Sequence, residues 1–369
     1  MSNFDVANLA LQVACGASNE LKYDDKNMPS VMVKIPKFTW ADVGIGTSTD
    51  VFPAFKVNGQ EIDAIYFSKY MNIVQNGRVY SLPGQDFAGN INFNNSIAAC
   101  IAKGEGWHLQ TRLEWMAVAL WSLKNGTLPK GNNDYGKDHS ETVYKAIPLT
   151  WTSADHRIAH VAGGTGPLTW SHNGQQDGIW DMNGNGWEWV GGVRTVYGEL
   201  QVISKDGVTF GNDAADPDNS QAATSALWYA IDGTTGALIT PNGSGTTENS
   251  LKIDKISSKL TWVTGAISMA TPGQINAALG AVECDASVCD TAKNILRALG
   301  FLAPEGYTSA QLGNDQVYFD NSQAERMFYC GGGYINASFA GVFFANVLAR
   351  SSTSSIHSLR GAYCDLPTA

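Results

Sequence analysis

Long apolar runs, clustered positive charge and a dense cysteine framework are all missing from this chain of 369 residues. No stretch of about 18 consecutive apolar residues occurs, so no segment reads as a membrane-spanning helix. Lys and Arg form no run and the net charge is −10, which excludes the basic stripe that a phosphate backbone requires. Nucleic acid is therefore not expected as a partner. The opening residues, MSNFDVANLALQVACGASNE, lack the positive start and continuous apolar core of a secretory signal. A protein made in the cytosol, with no signal peptide and no membrane span, is expected. The six cysteines, Cys15, Cys100, Cys284, Cys289, Cys330 and Cys364, are too few and too uneven for a disulfide framework in a chain this long. Only Cys284 and Cys289 lie close in sequence, and neither a second pair nor a nearby histidine completes a zinc site around them.

What is present suits a loop-rich globular fold. Hydrophobic residues make up 44% and aromatic residues 10%, ample for a core, while 39 glycines and only 16% charged residues favour short strands over a helical bundle. Val6, Leu9, Leu11 and Val13 give residues 4–15 a weakly amphipathic helical pattern that fits packing on the body or on another copy. Alternation of Val31, Val33 and Ile35 reads as a strand, and EIDAIYFSKYMNIV as a second. From 94 to 124 the period becomes helical and predicts two helices, the second carrying Leu113, Met116, Ala117 and Leu120 on one stripe. Residues 126–192, rich in Gly, Asn, Asp and Trp, read as ordered loop. Between 193 and 325 the chain turns polar and small, with one late helical patch, TAKNILRALG, and reads as an insertion.

Three separated segments carry a resemblance. HLQTRLEW (residues 108–115) opens a helix with Thr111 as a natural N-cap. GIWDMNGNGWEWVGG (178–192) sets two tryptophans around Glu188 after a Gly-Asn turn, and RMFYCGGGY (326–334) follows in the same order as in the family. Together they resemble the formylglycine-generating-enzyme-like (FGE-sulfatase) branch of the C-type lectin fold. Over nearly the whole chain the sequence is similar to the variable proteins of diversity-generating retroelements, many of them phage-encoded, through GNNDYGKD, TGPLTWSHNGQQDGIWDMNGNGWEW, GELQVI and the C-terminal AGVFFANVLARSS and LRGAY.

That resemblance implies an α+β, C-type lectin-like fold with an inserted subdomain: an N-terminal helical arm (1–30), a first lectin-like part (31–192), the insertion (193–325) and a C-terminal variable region completing the domain (326–369). It also implies that error-prone copying has rewritten asparagine codons near the gene's end. Such copying never yields Lys, Glu, Gln, Met or Trp, and none of the five occurs from Gly331 to Tyr363. The motif around Glu188 then reads as scaffold, its rings burying area and Glu188 and Asn185 tying loops. Ala340, Gly341, Val342, Phe343, Arg350, Ser351, Arg360, Gly361 and Ala362 align with constant scaffold. Gly333, Tyr334, Ile335, Asn336, Phe339, Phe344, Asn346, Leu348, Ser352, Ser354, Ile356 and His357 are the expected ligand-contacting positions, rings amid small polar groups as in a paratope.

Enzymatic readings find less in the residues. The enzyme that names the fold carries a close cysteine pair just after its Gly-Gly-Ser-aromatic motif, where this chain reads GGGYINASFAGV. Iron-dependent sulfoxide synthases of the same fold use His-x-x-x-His-x-Glu, and here Ala162 stands in the Glu position after His156 and His160. His357 has no acidic residue in its segment to orient it. The Glu-Pro-Asn type of sugar signature of calcium-dependent lectins is absent, while a structural calcium ion in the Asn/Asp-rich loops stays open. The expectation is a non-enzymatic protein without a cofactor, recognising an unknown protein or cell-surface ligand. It acts from a virion or the bacterial cytoplasm, as a virion component or homo-oligomer.

Overall fold

The computed structural model describes residues 3–15, 18–267 and 273–367. A five-stranded sheet begins with Asn19–Tyr23, which pairs antiparallel with Pro29–Pro36, and continues through Ala64–Ser68. The next position belongs to the far end of the chain. Gly361–Tyr363 slots between Ala64–Ser68 and Trp107–Leu109, bonded on both sides in the registers Ala362↔Phe67 and Gly361↔Leu109. Ala64–Ser68 is buried at every residue because it is flanked by strands on both edges and covered on both faces.

Helix Arg112–Lys124 joins this sheet to the rest. The Thr111 hydroxyl accepts from the Glu114 N–H and the Glu114 carboxylate accepts from the Thr111 N–H, a complete capping box. Every residue from Arg112 to Leu120 is buried, so the expected stripe of Leu113, Met116, Ala117 and Leu120 is one part of a helix enclosed all round. Even Arg112 lies inside, donating to the carbonyls of Leu299 (2.7 Å) and Gly300 (3.3 Å) and to the Cys330 sulfur (2.8 Å). Phe93–Ile101 is the other helix of the pair, and Asp290–Ala298 the late one.

A second, twelve-stranded sheet has nine strands in the order 274–278, 316–320, 341–348, 326–331, 187–196, 199–203, 252–256, 259–263, 283–284, with 228–231, 238–239 and 357–359 pairing off this path. Most of these strands come from residues 193–325. That segment extends the sheet on both sides of 326–331 and 341–348 and shares one core with them: Val193, Ile253, Trp262 and Phe319 cluster with Trp115, Phe328 and Phe343. The architecture is α+β, rich in loops and dominated by strands. Residues 126–186 hold no strand, only the short 3-10 helix Leu168–Trp170. The helix Asn3–Cys15 leaves Val6, Leu9 and Val13 half-exposed or more. No helix among the described residues is long and apolar enough to cross a membrane.

Candidate binding face

Three glycines turn the chain out of the strand Arg326–Gly331 into a surface loop. Gly331 and Gly332 have φ of 83° and 79°, and a Cβ on Gly332 would stand 2.5 Å from that of Ala340, so the two ends of the loop touch. Backbone bonds then fasten the loop to its neighbours: Gly184 N–H to Gly331 O (3.0 Å), Tyr135 N–H to Tyr334 O (2.9 Å) and Ala337 N–H to Asn133 O (2.8 Å). Beneath it, Asn133 donates to Asp138 (2.9 Å) and Asn183 (3.0 Å). Because these ties are mostly main-chain, the outward side chains can change without releasing the loop.

Ile335 and Phe339 point outward, 45% and 51% exposed. Tyr334 is half-buried between Tyr135 and His160, with ring centroids 5.6 and 5.7 Å away. The Arg157 guanidinium lies 3.3 Å from the centre of the Tyr135 ring, and His160 meets Asp86 at 3.1 Å. An aromatic wall with one cation thus stands beside two exposed apolar side chains. Farther along the 126–186 loops, Tyr144, Ile147 and Trp151 are also more than half exposed.

The remaining expected contact residues divide. Asn336 turns inward, its Oδ1 accepting from Gly333 N–H (2.7 Å) and Trp187 Nε1 (2.8 Å), and so clamps the loop. Gly333 is buried against the Trp187 indole. Phe344, Asn346, Ile356 and His357 are buried, contrary to the exposure expected of them. Phe344 and Asn346 belong to Gly341–Leu348, which is flanked by 316–320 and 326–331 and covered on both faces. Ile356 accepts the Trp187 N–H at 2.7 Å, and His357 stacks on Trp187 at 5.3 Å, where burial lowers its pKa. Leu348, Ser352 and Ser354 are half-buried at the far end of the strand, apart from the loop.

Positions expected as scaffold show what holds the face in place. Arg360, fully buried, grips both Glu188 oxygens at 2.8 Å and donates to the carbonyls of Ser68 and Trp180 at 3.0 Å. Gln110 completes the Glu188 carboxylate at 3.1 Å, and Trp189 Nε1 reaches Ile91 O at 3.0 Å. Arg350 clasps Glu325 at 2.6 and 2.7 Å. Gly341 is required because the Asp315 carboxylate occupies the space a Cβ would fill, 2.1 Å away. Ser351 is exposed, and nothing in the structure explains its place in the scaffold.

Sequence reasoning missed Tyr135, Arg157 and His160 as parts of the face. Their signal is spatial: they sit on loops without periodicity, and only the bonds between backbones at 133–135 and 334–337 bring them to Tyr334. Of the two histidines once compared with an iron-binding pattern, His156 is exposed while His160 packs on Phe87 at 4.3 Å. The six cysteines are free thiols, and Cys289 caps the helix Asp290–Ala298.

No family model and no curated protein matches the sequence. Among solved structures, the chain is similar to PvdO from Pseudomonas aeruginosa, with a TM-score of 0.34 and 12% identity over 93% of this chain and 97% of that one. It is also similar to the Major Tropism Determinant U1 variant, with a TM-score of 0.30 and 11% identity over 90% of this chain and 63% of that one.

Proposed function

We propose that this chain is a non-enzymatic recognition protein of the kind diversified by retroelements. A lectin-like scaffold of the formylglycine-generating-enzyme subtype presents the loop 333–340, and its partner is a protein or cell-surface ligand met by a phage particle or a bacterial cell. The observation that carries the reading is the loop itself. Tyr334, Ile335, Ser338 and Phe339 face outward or line the aromatic wall, while backbone bonds and Asn336 hold the turn without their help. The absence of Lys, Glu, Gln, Met and Trp from Gly331 to Tyr363 supports the retroelement history. The reading assigns no catalytic residue and no cofactor.

The contact set implied by the geometry is narrower than the sequence suggested. It comprises Tyr334, Ile335, Ser338 and Phe339, flanked by Tyr135, Arg157 and His160. A library randomised at 334, 335, 338 and 339 tests it. Most members are expected to unfold within a few degrees of the parent, since exposed substitutions usually change stability by less than about 0.5 kcal/mol. Widespread unfolding in that library would remove the basis for the proposal. The retroelement history has its own test: a near-identical, adenine-rich copy of the coding sequence for this segment beside a reverse-transcriptase gene.

A further inference from the structure

Among the described residues, hairpins with two-residue turns and positive φ at both turn positions include Asn58-Gly59 (52°, 76°), Asn76-Gly77 (52°, 74°), Tyr197-Gly198 (47°, 83°) and Ser257-Ser258 (49°, 70°). Asn-Gly is the pair this turn favours, because Asn tolerates the left-handed region and Gly adopts it freely. Tyrosine does not, and a bulky residue held there is strained. The chain thus uses Asn-Gly twice and departs from it at Ser257-Ser258 and at Tyr197; of these turn residues Tyr197 carries the one bulky side chain, and it is 37% exposed.

Tyr197 lines an open cavity of about 590 Å³ together with Thr246, Glu248, Asn249 and Lys252. The 244–249 segment that lines the cavity is held by hydrogen bonds. Glu199, fully buried, accepts from Thr247 N–H (3.0 Å) and Ser250 Oγ (2.7 Å). Asn242 accepts from Ser244 N–H and Oγ, both at 2.9 Å, and donates to Thr246 at 2.9 Å. Gly245 packs so closely on the Tyr197 turn that a Cβ there would lie 2.4 Å from Val196 O.

Electrostatics narrows the ligand. Lys252 is the one cation among the described lining residues, and its three donors go to the carbonyls of Thr247 (2.8 Å), Ser250 (3.0 Å) and Thr264 (3.4 Å). Glu248 adds a negative charge at the rim. An anion finds no free cation here. A ring with one apolar CH face and several hydroxyls fits what is offered, an aromatic surface beside an exposed carboxylate and carboxamide.

We propose that Tyr197 and the 244–249 loop form a subsite for a neutral saccharide, the tyrosine ring taking the CH face of the sugar and Glu248 and Asn249 its hydroxyls. The strain at Tyr197 is retained because the ring is needed there. This subsite lies in the 193–325 segment and does not depend on the reading of the 333–340 loop.

The full chain, applied to an array of neutral hexose and N-acetylhexosamine oligosaccharides with heparin fragments as the anionic comparison, supplies the test. Binding to at least one neutral oligosaccharide is expected, followed by titration calorimetry on that sugar. Tyr197→Asn restores the favoured turn, so it should raise Tm while weakening the sugar at least about tenfold, and Tyr197→Phe should bind within about threefold of the parent. Four results would overturn the proposal: no neutral oligosaccharide bound, binding to heparin alone, undiminished binding by Tyr197→Asn, or a Tm lowered by Tyr197→Asn. The last would show that folded-state packing, not a ligand, keeps the tyrosine.

Discussion

Two neighbouring stretches of the C-terminal segment share a vocabulary of Gly, Ala, Asn, aliphatic and aromatic residues and meet opposite fates. In Gly333–Phe339 the large side chains Ile335 and Phe339 face solvent; in Gly341–Leu348 every residue but the last is buried. The difference is where the backbone finds its partners. The first stretch bonds to other loops and curls into a short 3-10 turn, whereas the second lies between two strands, with its side chains packed on both faces. Burial therefore follows the ladder rather than the residue type, and tolerance to replacement should do the same.

The sharpest test of that contrast is a pair of phenylalanines. Phe343→Ser removes a fully buried ring and is expected to destabilise the protein by about 3 to 5 kcal/mol, whereas Phe339→Ser should stay within about 0.5 kcal/mol in denaturant unfolding. Equal losses would erase the distinction between the stretches. Arg360→Met probes the framework behind both: it strands Glu188 inside with only Gln110 left, a loss of about 3 to 5 kcal/mol.

A pH profile separates scaffold from loop in another way. Burial pushes the Asp181 carboxyl up to about 6, one of its oxygens has no partner among the described residues, and its backbone sits at φ 62°. The folded pKa exceeds the unfolded one, so the neutral form stabilises the fold at low pH and that contribution is lost as pH rises from about 4 to about 6. Asp181→Asn should abolish this loss, gaining on the order of 2 to 3 kcal/mol at pH 7.5 and little at pH 4 by thermal unfolding. Smaller than these framework effects is that of Asn336→Ala. It deprives Gly333 N–H and Trp187 Nε1 of their acceptor, about 1 to 2 kcal/mol, and should loosen the loop without unfolding the body, read as faster amide exchange at Gly333.

Some of this was legible beforehand and some was not, for physical reasons. The N-cap at Thr111 is local, so a few neighbouring residues suffice to read it, and the structure adds the reciprocal bond from Glu114. Likewise the strand Pro29–Pro36 announced itself through Val31, Val33 and Ile35. Phe344 did not: in GVFFANVL a strand enclosed on both faces shows no alternation, and nothing in the sequence says which apolar residue points to water. His357 and Ile356 carry no periodic signal either, since a parallel pairing with Trp187–Trp189, far away in sequence, buries them. The strands of 193–325 are two to five residues long, mostly set among turn-forming residues, and their continuity with the main sheet exists only in three dimensions.

The placement of Gly361–Tyr363 between two strands from the first third of the chain has a consequence for synthesis. The first sheet stays split, with Trp107–Leu109 lacking its neighbour, until those late residues have left the ribosome. A frameshift or early stop anywhere before codon 361 yields a product whose first sheet cannot close, and cellular proteases meet it as an unfinished molecule. Closure of the first sheet thus reports on the whole message: a chain that completes it has been read in frame to its last few codons.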